Sequence, residues 1–169
     1  TAGSPPLAIG FGSMTGRDPQ KMNKIVLEAV QLSGQRAILL SGWAGLSEMG
    51  LAKSVFPLPA APHGWLFPQM AAVVHHGGAG STAAGLRAGV PSILVPHFAD
   101  QPFWGKRVGA LGVGPKAIPR PKLTAHKLAA AMDTAVSNQT MRQKAAELGE
   151  KIRAEDGIGQ AVTLVEENL

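Results

Sequence analysis

Short apolar runs alternate with longer amphipathic stretches along most of the chain. Apolar runs of about four or five residues are typical of strands buried in a parallel sheet. The pattern predicts strands at Leu7–Phe11, Arg36–Leu40, Ser54–Leu58, Ala72–His75, Ser92–Val95 and Gly114–Ile118.

The amphipathic stretches between these runs have helical spacing. Met22, Ile25, Val26, Ala29 and Val30 recur at intervals of three and four, which predicts a helix over Asp18–Ser33. Further helices are predicted at Trp65–Met70, Ser81–Ala88 and Gln101–Leu111, and from Thr124 to the end with Gly149 and Gly157 as caps or break points. Successive strand and helix units predict an α/β fold, a Rossmann-like three-layer sandwich with a parallel sheet and C-terminal helices.

Length and the first residues define the expected domain. The 169 residues are enough for one compact domain with a sizeable core. Residues 1–6, Thr-Ala-Gly-Ser-Pro-Pro, are predicted to be a linker remnant, because small residues are poor core material and proline restricts the residue before it. We therefore expect the folded domain to span residues 7–169.

Charge is distributed unevenly along a chain whose net charge is +5. Residues 87–127 carry seven lysines and arginines against the single carboxylate of Asp100. Such a region suits an anionic ligand, a nucleic acid or an anionic membrane surface, or is a solvated surface. Nucleic acid is not expected as a partner, because aromatic residues make up only 5% of the chain and no binding motif interleaves them with the basic ones.

Two absences narrow the class of protein further. The chain has no cysteine, which excludes a disulfide framework and a thiolate metal site. No apolar run approaches the roughly 20 residues that span a bilayer, and the first residues do not resemble a signal peptide. We expect a soluble, cytoplasmic protein, with peripheral contact with membrane lipid left open.

The segment from Val73 to Thr82 has the pattern of a phosphate-binding turn. An apolar strand leads into His75-His76-Gly77-Gly78-Ala79-Gly80-Ser81-Thr82, where a helix is predicted to begin. The first amides of a helix have no partner within it and carry the positive end of its dipole. Glycines let the backbone approach a ligand, and hydroxyls and an imidazole add donors. The pattern suits a diphosphate, although tight packing of strand against helix would also explain it.

A second predicted strand end carries polar groups. Asp100 and Gln101 follow the strand Ser92–Val95. Ligands of open α/β sheets bind at the carboxyl ends of the strands. A carboxylate and a carboxamide suit the vicinal hydroxyls of a sugar, so the two strand ends together predict a nucleotide and a sugar.

Three other interpretations have weaker support. His75 and His76 suggest a metal site with His63 or His97, but adjacent residues of a strand face opposite ways, so no metal is expected. The stretch from Gly10 to Gly16 is similar to a dinucleotide fingerprint, but its third glycine is one place late and no acidic residue ends the second strand. Trp43 follows that strand and is the tryptophan expected to lie nearest the base of a bound nucleotide.

Four passages resemble a known family: Gly10-Phe11-Gly12-Ser13-Met14, Pro62 to Pro68, His75 to Thr82, and Pro96 to Trp104. They resemble family 1 of the nucleotide-diphospho-sugar glycosyltransferases with two Rossmann-like halves, the GT-B fold, and most closely the sterol 3-beta-glucosyltransferase branch. Glu155-Asp156-Gly157-Ile158 fits the same branch. The resemblance implies that the chain is the C-terminal, donor-binding half of such an enzyme.

The resemblance also implies roles for particular residues. The diphosphate would be held by His76 and the backbone of Gly78, Ala79, Gly80 and Ser81, and Ser13 would reach the phosphates from the other side. The nucleoside would be held by His63 and by the backbone of Ala61. The sugar would be held by Asp100 and Gln101. Many relatives in the wider family have tryptophan near position 60 and glutamate near position 84, where this chain has alanines.

The implied reaction is transfer of a hexose, glucose from UDP-glucose, to a hydroxyl of a sterol-like or other lipid acceptor, with inversion and without a cofactor or metal. The base and the acceptor site would lie in the enzyme's own N-terminal domain, so this chain would hold no catalytic base and would be inactive alone. The alternative is a non-catalytic nucleotide-binding or scaffold module with the same fold. Retention of His76, Ser81, Asp100 and Gln101 together favours the enzyme.

Overall fold

A five-stranded parallel sheet forms the centre of the molecule in a computed structural model, which describes residues 3–12, 19–40 and 52–168. Its strands are β1 (Leu7–Ile9), β2 (Ala37–Leu40), β3 (Val55–Leu58), β4 (Ala72–His75) and β5 (Ser92–Leu94). Their order across the sheet is β3-β2-β1-β4-β5. These strands confirm five of the six apolar runs predicted as strands, with ends that differ by at most two residues.

Helices follow most of the strands and continue to the end of the described chain. They are α1 (Pro19–Ser33), α2 (His63–Leu66), α3 (Ala79–Ala88), α4 (Gln101–Leu111), α5 (Ala125–Ser137), α6 (Gln139–Ala154) and α7 (Gly157–Glu166), with 3-10 turns at Phe67–Gln69 and Arg120–Lys122. Within the described residues, no helix combines the length and the apolar character that crossing a membrane requires.

The strands β1, β4 and β5 bury both faces, as expected for a sheet between two helical layers. Leu7 and Ile9 of β1 share a core with Val30 of α1 and Met132 of α5, whereas Ala8 packs with the cluster that contains Leu66 on the opposite face. Helix α1 packs on α5, and α3 packs on α6. The predicted three-layer α/β sandwich is confirmed.

The strand order changes direction between β1 and β4. The chain passes from β1 outward to β2 and β3, then returns to the other side of β1 with β4. Gly10 N–H donates to Val74 O at 3.0 Å, so the two strands leave the sheet side by side. In open α/β sheets, ligands bind in the crevice at the carboxyl ends of the strands, at the point where the strand order reverses. Gly10 and Gly12 after β1 and the glycine-rich turn after β4 both lie at this point.

The predicted strand Gly114–Ile118 is wrong. Its neighbour Val113 accepts from Ser92 N–H at 3.1 Å, and Ile118 N–H donates to Leu94 O at 3.0 Å, but the residues between form no ladder. Pro115 and Pro119 have no N–H to donate, which interrupts pairing with β5. This stretch runs along the sheet edge as irregular backbone.

Gly149 was wrongly predicted as a cap or break point, because it lies inside α6. A Cβ at Gly149 would lie 2.6 Å from the Cα of Gly89, the left-handed residue that ends α3. Glycine is needed there for close packing of α6 on α3 rather than for a turn. The break falls at Asn138, whose side chain accepts from Met141 N–H at 3.0 Å and caps α6. Gly157 does mark a break, since α7 begins there.

Candidate functional site

The start of α3 presents a set of backbone amides without helical partners. Thr82 N–H donates to Gly78 O at 2.9 Å and makes the first bond of the helix. The amides of Ala79, Gly80 and Ser81 come before that bond, and no side chain caps the helix at Gly78. The predicted helix started at Ser81, two residues late, so all three amides lie in the first turn. A helix start of this kind attracts anions through its amides and its dipole.

His76 lies over this helix start. A Cβ at Gly78 would be 2.6 Å from His76 Nε2, and a Cβ at Gly12 would be 3.7 Å from His76 Cε1. The imidazole therefore lies between Gly12, which follows β1, and the first turn of α3. Burial lowers the pKa of His76, and the charge of Asp100 opposes that shift in part. The side chain is therefore neutral at pH 7, and an anion beside it would favour its protonated form.

His75 holds the turn from beneath. Its Nδ1 accepts from Gly77 N–H at 3.1 Å, which places the ring proton on Nε2. Gly77 has φ +90°, and a Cβ there would lie 3.0 Å from Leu94 Cδ2 and 3.4 Å from Gln101 O. The turn after β4 is thus packed against the segment after β5. From the sequence, His75 was only a candidate metal ligand, and its burial at a strand end before glycine is the signal for this supporting role.

We expect His75 to make the domain less stable in acid. Burial lowers the pKa of His75 to about 3 from 6.5. Below pH 6.5, His75 therefore binds a proton in the unfolded chain but stays neutral in the folded chain. The free energy of unfolding falls as the pH drops toward 3. The slope approaches about 1.4 kcal/mol per pH unit, and this contribution is constant above pH 7. Urea unfolding at pH 7, 6 and 5 measures it.

The matched variants for this measurement are His75→Asn and His126→Asn. Asparagine does not titrate, and its carboxamide oxygen offers Gly77 N–H an acceptor close to the position of Nδ1. His75→Asn should flatten the pH dependence by about one proton, and His126→Asn, which removes an exposed imidazole from α5, is the control variant. Burial also lowers the pKa of His63, His76 and His97, so part of the slope should persist. An unchanged slope in His75→Asn would contradict this assignment.

A small cavity lies beside the helix start. Its volume is about 180 Å³, and Gly10, Gly12, Ala61, His63 and Ser81 are among its lining residues. The structure thus brings both predicted nucleoside residues together with Ser81 of the predicted diphosphate set. The ring of His63 stacks on Phe67, with centroids 4.3 Å apart and 14° between the planes. Ser13 and Trp43, the other predicted contacts, lie outside the described residues.

Gln101 and Asp100 occupy different environments at the end of β5. Gln101 is 4% exposed, and its Oε1 accepts from His97 N–H at 2.7 Å and Phe98 N–H at 3.3 Å. Asp100 is exposed, and its Oδ2 accepts from Trp104 Nε1 at 2.8 Å. Gln101 therefore positions the segment through its oxygen, while Asp100 faces solvent. Ala99 lies between β5 and Asp100 and has a φ of 55°, a backbone conformation that is strained for a residue with a Cβ.

His97 is a further polar group at this edge, and the sequence assigned it no role beyond a candidate metal ligand. Its Nδ1 lies 2.9 Å from Val95 O, to which it donates, so Nε2 is left as an acceptor. That Nε2 is buried and has no partner among the described residues, and burial is the main cause that lowers the pKa of His97. Over the same described residues, no three His, Asp or Glu side chains cluster in a way that could hold a metal ion.

Comparison with known proteins agrees with this fold. The glycosyltransferase of kitacinnamycin covers 100% of this chain with a TM-score of 0.84 and 25% identity, and this chain covers 44% of it. The glycosyltransferase VinC, solved in complex with dTDP, covers 99% with a TM-score of 0.77 and 22% identity, and this chain covers 43% of it. The fold is that of the C-terminal domain of a GT-B glycosyltransferase.

The sequence comparisons identify the family. The description "Erythromycin biosynthesis protein CIII-like, C-terminal domain" matches residues 50–166, and the chain belongs to that family. It is 47% identical over 162 residues to the sterol 3-beta-glucosyltransferase UGT80A2 of Arabidopsis thaliana, and 42% identical over 175 residues to the sterol 3-beta-glucosyltransferase of Cryptococcus neoformans. Each match covers 95% of this chain but only 25% and 11% of the relative, so the chain corresponds to part of those enzymes.

Proposed function

We propose that this chain binds a nucleotide-diphospho-sugar, with the diphosphate at the start of α3. One observation carries the proposal: three amides without helical partners and the imidazole of His76 converge at the point where the strand order reverses. The cavity lined by Ala61 and His63 adjoins this point and would take the nucleoside, with Ser13 reaching the phosphates from the segment after β1. VinC, which shares this fold, was solved in complex with dTDP, and that complex supports a nucleotide as the ligand.

The donor sugar would lie toward Asp100 and Gln101. Gly77 packs on Gln101, which keeps the end of β5 next to the helix start where the diphosphate is placed. The exposed carboxylate of Asp100 would accept from sugar hydroxyls, while Gln101 holds the backbone beneath it. The names of the sterol 3-beta-glucosyltransferase relatives support glucose as the sugar, and UDP as its carrier follows the resemblance of the motifs.

In the whole enzyme, we propose transfer of the hexose to a hydroxyl of a sterol-like or other lipid acceptor, with inversion at the anomeric carbon. The acceptor oxygen forms the new bond from one face while the diphosphate leaves from the other with the bonding electron pair. Negative charge builds on the leaving phosphate, and donors already aimed at it lower the barrier without a metal ion. The acceptor site and the base that takes the hydroxyl proton would lie in an N-terminal domain, so the chain alone would not catalyse transfer.

Replacing His76 should weaken nucleotide binding. Calorimetric titration of the 169-residue chain with UDP and UDP-glucose should give dissociation constants between about 10 μM and 1 mM. A hydrogen bond to a charged group contributes about 1.5–3 kcal/mol, so His76→Ala should weaken both ligands by roughly 10- to 100-fold. Affinity should also rise as the pH falls from about 7.5 to about 6.5, because the bound anion favours the imidazolium form of His76.

His126→Ala is the matched control, because it removes an exposed histidine from α5 and should leave affinity unchanged. NAD and dTDP extend the panel, and preference for the uridine ligands is expected. Equal affinity of His76→Ala and the parent chain would place the phosphates elsewhere. Nucleotide binding without any gain from the attached sugar would favour the alternative, a binding or scaffold module. Absence of binding to every nucleotide in the panel would overturn the proposal for this chain.

A further inference from the structure

A second and larger cavity lies at the sheet edge beyond β5. It has a volume of about 1040 Å³ and is formed by α4, the irregular segment before α5, and α5 itself. We call it the lysine-rimmed groove. Lys106, Lys116, Lys122 and Lys127 are exposed at its rim, and the buried residues Ile118 and Ala131 lie at its floor. Among the described residues, the groove meets the candidate donor site at its end near His97.

The charge of this groove is all of one sign. The four lysines are its only formally charged lining residues among those that the structure describes, since no aspartate or glutamate of that part of the chain lines it. Lys127 Nζ donates to Lys122 O at 3.2 Å, and over the same residues no carboxylate forms an ion pair with any of the four. Four ammonium groups around one opening repel each other unless an anion joins them. The rim is therefore complementary to a negatively charged group.

The interior of the groove has the opposite character. Apart from the lysines, its lining consists of alanine, glycine, proline and isoleucine with His97 and Thr134. Its volume is slightly above the range of about 300–1,000 Å³ that holds small-molecule ligands, so an apolar chain has room to enter. Phe98 and Phe103, from the same stretch of chain, are 58% and 61% exposed. Exposed phenylalanines in a stretch of chain rich in lysine and arginine are typical of segments that lie at a membrane interface.

We propose that the lysine-rimmed groove binds an anionic phospholipid of a membrane surface, with an acyl chain against the apolar floor and the phosphate among the lysines. The volume and apolar lining fit the acyl chain, and the lysines, which form no ion pair with a carboxylate of the described residues, fit the headgroup. The groove would hold the domain at the surface where lipid substrates lie. This inference stands on the groove itself and does not require the chain to bind a nucleotide.

Vesicle flotation of the 169-residue chain tests the proposal. The chain should float with vesicles that contain phosphatidylglycerol in phosphatidylcholine and not with phosphatidylcholine alone. Each lysine near an anionic surface contributes about a fivefold increase in binding. Lys106→Gln/Lys116→Gln/Lys122→Gln should therefore bind on the order of 100-fold more weakly. The control Lys24→Gln/Lys144→Gln/Lys151→Gln has the same net charge and alters exposed lysines of α1 and α6, so its loss should be only a few-fold.

A second pair of variants tests entry of the chain into the groove. Ala130→Glu places a carboxylate at an exposed lining position, and Ala154→Glu adds the same charge at the end of α6. The first should lower vesicle binding at least about 10-fold more than the second, because the carboxylate meets both the acyl chain and the phosphate.

Equal losses within either pair of variants, or no binding to anionic vesicles, would overturn the proposal. A dimer seen by analytical ultracentrifugation and lost in Ala130→Glu would instead assign the groove to a second copy. Thermal unfolding of each variant confirms that it is folded.

Discussion

Gly77→Ala should destabilise the domain by about 2–4 kcal/mol. An alanine held at the φ of +90° found for Gly77 costs about 1–2 kcal/mol. Its Cβ would also lie 3.0 Å from Leu94 Cδ2 and 3.4 Å from Gln101 O, and crowding of this kind costs about 1–3 kcal/mol. The smaller entropy of the unfolded alanine chain offsets about 0.4–1 kcal/mol of the sum. Urea unfolding at neutral pH measures the difference.

Gly34→Ala separates the two causes. Gly34 follows α1 with φ +63°, and nothing lies within 4 Å of the position that a Cβ would take there, so its substitution carries the backbone cost alone. We expect a loss of about 1 kcal/mol at position 34. Equal losses in the two variants would mean that the contact with Leu94 and Gln101 relaxes at no cost. Gly77→Ala should also weaken UDP binding, because the turn it displaces leads directly into the start of α3.

The layers of the fold could be predicted well because the apolar runs are short, buried and regularly spaced. The β4 strand is predicted to the residue, since His75 and the glycines after it mark its end clearly. The errors have a common physical origin. The stretch 114–118 is apolar enough for a strand, but the prolines at 115 and 119 cannot donate to β5. Glycine is a common residue at helix ends, which is why Gly149 was predicted as a cap. Its packing against Gly89, which is distant in the sequence, cannot be predicted from a local pattern.

The candidate site shows the same limit. The motif predicted which residues follow β4 and β5, and the structure places Ala61, His63 and Ser81 around one cavity. It could not predict that His75 accepts from Gly77, or that Gln101 is buried with its oxygen bonded to the backbone. Those roles depend on how two segments pack at the sheet edge. The lysine-rimmed groove is likewise absent from the motifs, although the basic stretch 87–127 indicates its charge.

The two segments of the candidate donor site are coupled through a short chain of contacts. His75 holds Gly77 by a hydrogen bond, Gly77 packs on Gln101, and Gln101 holds His97 and Phe98. A change in any of these residues therefore alters the distance between the start of α3 and Asp100. Since the proposed diphospho-sugar would reach both, this packing would set the separation between the proposed phosphate and sugar positions.

Gln101→Ala should cost about 2–4 kcal/mol of stability and remove the preference for a sugar-bearing nucleotide. The substitution leaves the partly buried N–H groups of His97 and Phe98 without their acceptor, and a fully buried donor without an acceptor costs about 1–3 kcal/mol. Gln143→Ala is the matched control, because Gln143 is exposed on α6 and bonds only Glu147 in the contacts described, so its loss should stay within about 0.5 kcal/mol. Urea unfolding measures both variants.

The ligand measurement distinguishes positioning from contact. Asp100 is exposed, so Asp100→Ala should leave stability nearly unchanged while lowering the affinity for UDP-glucose toward that for UDP. Gln101→Ala should lower the same ratio of affinities together with stability, because it releases the segment that carries Asp100. In the double variant the ratio should fall no further than in Asp100→Ala, since the two residues act through one carboxylate. A further fall would show that Gln101 contacts the sugar directly, and its role would then be binding rather than positioning.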